Sequence, residues 1–156
     1  MLKKAVKAYQ YLVIFGGLLK SPILLIARLY FGWVFFQAGL NKFHDINHFA
    51  QILESYHLSP TIPQAYIAAL IELVGGICLM VGFATRLAVI PLIIVMITAY
   101  STVHIEAVKS IFSDPSTFIA QAPFNPLLIS LILLAFGPGR ISLDYFLEKW
   151  LFRKHK

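Results

Sequence analysis

The stretch Ala65-Tyr-Ile-Ala-Ala-Leu-Ile-Glu72-Leu-Val-Gly75-Gly76-Ile-Cys78-Leu-Met-Val-Gly82-Phe-Ala-Thr-Arg86 decides the fold. It is long and apolar enough to cross a bilayer, which takes about 20 residues, yet Glu72 sits near its middle. A carboxylate at that depth costs about 2.5 kcal/mol or more on insertion, so it faces protein or a water-filled cavity rather than lipid. At helical spacing Ala65, Ala68, Ala69, Glu72, Gly75 and Gly76 share one face. Small side chains there let a neighbouring backbone approach closely. The expectation is a membrane helix bundle with a polar spot inside.

Composition points the same way. The chain has 156 residues, of which 59% are hydrophobic and 13% charged, where a soluble domain carries about 25% charged residues. Its mean hydropathy is +0.79. The net charge of +6 is gathered around the ends of the apolar region, at Lys3, Lys4, Lys7 and Lys20 and again at Arg140, Lys149, Arg153, Lys154 and Lys156. That placement suits an anionic membrane surface. No basic and aromatic module for nucleic acid accompanies it. The single cysteine, Cys78, falls inside a span and reads as a small apolar side chain.

From these features we expect an all-α, four-helix transmembrane bundle formed by one domain over residues 1–156. Residues 1–21 are expected as an interfacial segment ended by Pro22, and residues 22–139 as the four-span bundle. Residues 140–156 complete it with an amphipathic helix. The first span covers about Pro22 to Leu40. A short surface helix follows, capped by Asp45, with Ile46, Phe49, Ala50 and Leu53 on its apolar face. The Glu72 span then turns around Ala84-Thr85-Arg86 into a third span, about Leu87 to His104, so these two helices are antiparallel neighbours. The region Glu106 to Pro126 reads as irregular. A fourth span from about Pro126 to Phe136 is too short alone; either it starts near Thr117 with a kink or the bilayer thins locally. In the tail, Leu143, Phe146, Leu147, Trp150 and Leu151 make one apolar face behind a Ser142 cap, suited to the membrane interface or to a partner protein. The asymmetry of lysines and arginines places both termini in the cytoplasm of a bacterial-type inner membrane.

The ordered residues carry a further signal. Arg28-Leu29, Gly32, Gly39 and Lys42 in the first span precede Glu72-Leu-Val-Gly75-Gly76, Leu79, Gly82, Thr85 and Arg86. Gly137-Pro138-Gly139 and Ser142-Leu143-Asp144 close the fourth. Over roughly Pro22 to Asp144 this set resembles the DoxX family of small four-span membrane proteins. The resemblance implies a four-helix membrane bundle and a relation to a small membrane subunit of thiosulfate:quinone oxidoreductase, with partners in membrane redox complexes for some members. Others accompany small metal-responsive peptides and their maturation enzymes. It supplies no catalytic residue.

Four groups of residues stand out. Arg28 and Glu72 are expected to meet inside the bundle, either as an ion pair that fixes helix register or as a proton-accepting or quinone-head site beside an apolar slot. Gly32, Gly39, Gly75, Gly76 and Gly82 form the expected packing seam. Arg86, Arg140 and Asp144 are expected to form an ionic latch at the cytoplasmic helix ends. His44, His48, His57 and His104 fall on the outer side, where they read either as polar loop residues or as ligands for copper or zinc; His44 and His48 have the four-residue spacing of two imidazoles on one helix face. No nucleophile motif, phosphate loop or haem-attachment sequence is present. The functional expectation is an accessory or anchoring subunit of a quinone-linked redox system. Its alternatives are a metal- or small-solute-handling membrane protein and a scaffold that docks a cytoplasmic enzyme. The expected partners are the lipid bilayer and another protein; a homo-oligomer is compatible with the sequence, and nucleic acid is excluded.

Overall fold

The computed structural model describes residues 2–56, 58 and 61–153, with side chains for 7, 9–56, 58 and 61–151. Among these residues there are eight helices and no strand: α1 (Leu2–His44), α2 (Ile46–Ser55), α3 (Thr61–Val81), α4 (Thr85–Thr102), α5 (Ile105–Lys109), α6 (Pro115–Ile119), α7 (Phe124–Phe136) and α8 (Leu143–Arg153). Three helices (α1 from Tyr9 onward, α3 and α4) are long and apolar enough to cross a membrane, and α7 is a shorter apolar helix. Inside a bilayer no water satisfies a free backbone, so apolar sequence of this length closes its hydrogen bonds within helices.

Helix α1 packs on α3, α3 on α4, α4 on α7, and α7 returns to α1. This ring surrounds Leu24, Phe35, Leu79, Leu92, Met96 and Leu133. The outward faces carry Ile23, Ile26, Tyr30, Trp33, Ile67, Leu70, Ile94 and Ile97, all at least half exposed. In water such a surface would drive aggregation; against acyl chains it costs nothing. The protein is an all-α membrane bundle.

The seam between α1 and α3 is a backbone-to-backbone contact. A Cβ built on Gly76 would lie 2.6 Å from the Gly32 carbonyl oxygen, and one on Gly39 would lie 2.7 Å from that of Ala69. Gly32 in turn faces Gly76 and Met80. These contacts set an antiparallel register in which rising numbers in α1 meet falling numbers in α3. Gly75 instead faces the Leu92 side chain of α4.

One expectation about the columns is corrected, and one of two alternatives for the fourth is removed. Pro22 does not end an interfacial segment: it lies inside the continuous α1. A proline removes one hydrogen bond and one donor, and apolar helix-forming sequence on both sides carries the helix through. The fourth column begins at Phe124, and the chain before it is a separate short helix rather than a kinked extension. Phe118 of α6 stacks on Tyr100 with ring centroids 4.5 Å apart, and the Tyr100 hydroxyl donates to the Phe118 carbonyl at 2.9 Å. Thus α6 closes over the end of α4 beside α7.

The expected surface helices form. The Asp45 carboxylate accepts from the His48 amide at 3.2 Å at the start of α2, and Ser142 Oγ accepts from the Tyr145 amide at 3.2 Å at the start of α8.

Candidate functional site

Glu72 is 1% exposed and Arg28 is fully buried, but the structure does not bring them together. The register explains why. Arg28 lies opposite Gly82, where a Cβ on the glycine would stand 1.8 Å from Arg28 Nη1. Gly82 follows the end of α3, ten residues beyond Glu72, about 15 Å at the helical rise. Each buried charge therefore finds another partner.

Glu72 pairs with Lys42, one helical turn beyond Gly39 on α1. Lys42 Nζ stands 2.5 Å from Glu72 Oε2 and 4.9 Å from the centroid of the Phe49 ring. The sequence placed Lys42 on the same helical face as Arg28 and Gly39 but did not pair it. Aligning the glycines of α1 and α3 as antiparallel contacts would have found it.

The pair lines a cavity of about 630 Å³ between α1, α2, α3 and α4. Phe35, Ala38, Ile71, Val95, Ala99 and Pro123 supply apolar walls, and Gln64, Thr98 and Thr102 add a few polar groups. Ile67 and Ile94, each 58% exposed, belong to both the cavity and the bundle's outer surface. A cavity of this size, largely apolar with a charged group in its wall, has the build of a small-molecule site.

At the other end, Arg28 Nη2 donates to the Ile141 carbonyl at 2.5 Å, while its Nε and Nη1 have no hydrogen-bond partner among the described residues. Asp144 supplies the facing negative charge. The latch expected from Arg86, Arg140 and Asp144 is not an ion-pair cluster. The Asp144 carboxylate instead accepts from the Ala84 amide at 2.6 Å and the Thr85 amide at 2.9 Å, capping α4, and its own amide donates to the Gly82 carbonyl at 2.9 Å. Helix-starting amides have no partner within the helix and favour negative charge, so they take up the carboxylate that the arginines were expected to hold. Ala84 at φ 46° and Gly82 at φ 72° bend the chain sharply enough to present both amides.

Among the described residues the expected histidines do not converge. His44 ends α1, His48 lies in α2 beyond the Asp45 cap, and His104 precedes α5 with its ring 6.1 Å from that of Tyr100. The cap splits His44 and His48 between two helices, which removes the shared face. His57 lies outside the described residues. Among the described residues no three His, Cys, Asp or Glu side chains gather as metal ligands.

The fold and its two buried charge sites define a small integral membrane helix bundle. The chain belongs to the DoxX family, whose model matches residues 23–105. It is 32% identical over 127 residues to the Bacillus subtilis protein named "Putative oxidoreductase CatD", covering 80% of this chain and 87% of that one. It is 28% identical to an uncharacterised protein of Haemophilus influenzae, over 85% of this chain and 88% of the relative. An uncharacterised membrane protein of Mycobacterium tuberculosis is 29% identical over 82% of this chain and 83% of its own length. No solved structure gives a significant match.

Proposed function

We propose that this protein is the membrane subunit of a redox system and that its cavity beside Lys42 and Glu72 receives a quinone-type ligand. The observation that carries the reading is the ion pair of a buried carboxylate with a partly buried lysine in the wall of a largely apolar cavity of about 630 Å³. An oxidoreductase name on one relative points in the same direction.

The residues present fit such a group. A quinone supplies reversible uptake of two electrons and two protons. Lys42 Nζ is a donor for a ring carbonyl, and Glu72 is a carboxylate able to hold a proton where water is scarce. The apolar walls accept the ring and the start of an isoprenoid chain. Electrons would come from a partner protein. Both termini lie in the cytoplasm on this reading, because Lys20, Arg86 and Arg140 cluster at the Arg28 end of the bundle.

The test is to extract the protein in native lipid with a copolymer and measure quinone against bulk membrane. Enrichment in the natural protein, lost in Ala68→Phe, which narrows the cavity, is the expected result. With the partner present, Glu72→Gln leaves expression intact and abolishes quinone reduction. Quinone at the bulk-lipid level in the natural protein would overturn the proposal, and unchanged turnover in Glu72→Gln would remove Glu72 from it.

A further inference from the structure

A second cleft, of about 620 Å³, opens at the Arg28 end between the start of α4, the 137–140 turn, α8 and residues 17–21 of α1. Lys20, Arg86 and Arg140 line it, together with Asp144 and Glu148. Among the described residues none of the three cations is ion-paired with a carboxylate. Asp144 is committed to the Ala84 and Thr85 amides and faces buried Arg28. That leaves Glu148 against three positive charges.

Two of the three cations have side-chain contacts that hold them, and the third is positioned through its backbone. The Arg86 guanidinium lies over Gly137, where a Cβ would sit 3.4 Å from Nε and from Nη2, and Nη2 is 3.5 Å from the Ala135 carbonyl oxygen. Lys20 Nζ stands 5.0 Å above the centroid of the Phe136 ring. The Arg140 amide donates to Ser21 Oγ at 3.2 Å, tying the turn to α1. At the edge of the cleft Leu87 and Phe136 are 71% and 58% exposed, and they continue into the apolar outer faces of α4 and α7.

We infer that this cleft is a binding site for a phosphate group, and that an acidic phospholipid fills it with its acyl chains along Leu87 and Phe136. Arginine forks and a lysine ammonium suit phosphate oxygens. The joined apolar edge suits a lipid rather than a fully hydrated anion. The site is separate from the Lys42–Glu72 cavity and does not depend on its function.

The test uses purified protein in neutral detergent with phosphatidylglycerol, phosphatidylcholine or inorganic phosphate, read by native mass spectrometry and by thermal shift. Phosphatidylglycerol is expected to bind and stabilise, and phosphatidylcholine to do so far less. Replacing Lys20, Arg86 and Arg140 together by Gln should weaken binding by about 100-fold, since each basic group near an anionic surface is worth roughly fivefold. Lys109→Gln, at the far end, should leave it unchanged. In the natural protein the affinity should fall as salt rises, a readout that needs no variant. If inorganic phosphate binds alone and displaces the lipid, the phosphate site stands and a soluble anion is its occupant. Equal binding of phosphatidylcholine, a triple variant of natural affinity, or binding indifferent to salt would each overturn the assignment.

Discussion

Lys42 and Glu72, thirty residues apart in the chain, form an ion pair of 2.5 Å across the α1–α3 seam, with the glutamate side chain 2% exposed and the lysine side chain 24%. The asymmetry matters. The carboxylate depends on the ammonium, whereas the ammonium retains some access to the surface.

Removing the lysine should therefore cost more than removing the acid. Lys42→Met strands a buried carboxylate, and breaking a buried pair in this way costs about 3–5 kcal/mol. Glu72→Gln should cost less, and Lys42→Met/Glu72→Gln should recover much of the loss. Unfolding in mixed micelles measures all three, and the double-mutant cycle gives the coupling. Additive effects would mean that the pair does not act as a unit.

Gly82→Ala should destabilise through two separate terms. At φ 72° an alanine is strained, a cost of about 1–3 kcal/mol, and its methyl collides with Arg28 Nη1. Adding Arg28→Ala relieves only the collision with the guanidinium, leaving the backbone strain and a Ser142 Cβ at 2.9 Å. Partial rescue of thermal stability by the second substitution is the expected result.

Asp144→Ala should loosen the α3–α4 turn by releasing the two amides it caps, a loss of about 1–2 kcal/mol. Hydrogen exchange at Ala84 and Thr85 should quicken while exchange at mid-helix amides of α4 stays slow. Asp144→Asn, which keeps one acceptor oxygen, should fall between.

Asp114, exposed before α6, accepts hydrogen bonds from the Ser116 and Thr117 hydroxyls, and these hold its carboxyl below the ordinary aspartate range. A lowered folded-state pKa means that its contribution to α6 is present above the unfolded value and is lost as pH falls through the folded one. Carboxyl NMR titration should show the depressed midpoint, and Ser116→Ala/Thr117→Ala should raise it toward that of a free aspartate.

Much of this protein was legible in one dimension because its signals are local. Apolar length marks the spans, and side-chain oxygens beside free amides mark the caps at Asp45 and Ser142. Small residues recurring at helical spacing mark the face of α3 that meets α1. Helix continuity through Pro22 was less legible, since a lost hydrogen bond looks alike in sequence whether the helix ends or continues. Partner choice depended on a longer-range quantity, the register of α1 against α3. The Gly32–Gly76 and Gly39–Ala69 contacts fix it, sending Lys42 to Glu72 and Arg28 to the Ile141 carbonyl. Asp144 likewise went to backbone amides that only the bend at residues 82–84 exposes. The sequence alone determined a membrane bundle with charges inside it; the tertiary structure decided which charges meet, because a desolvated group takes the partner that packing places within reach.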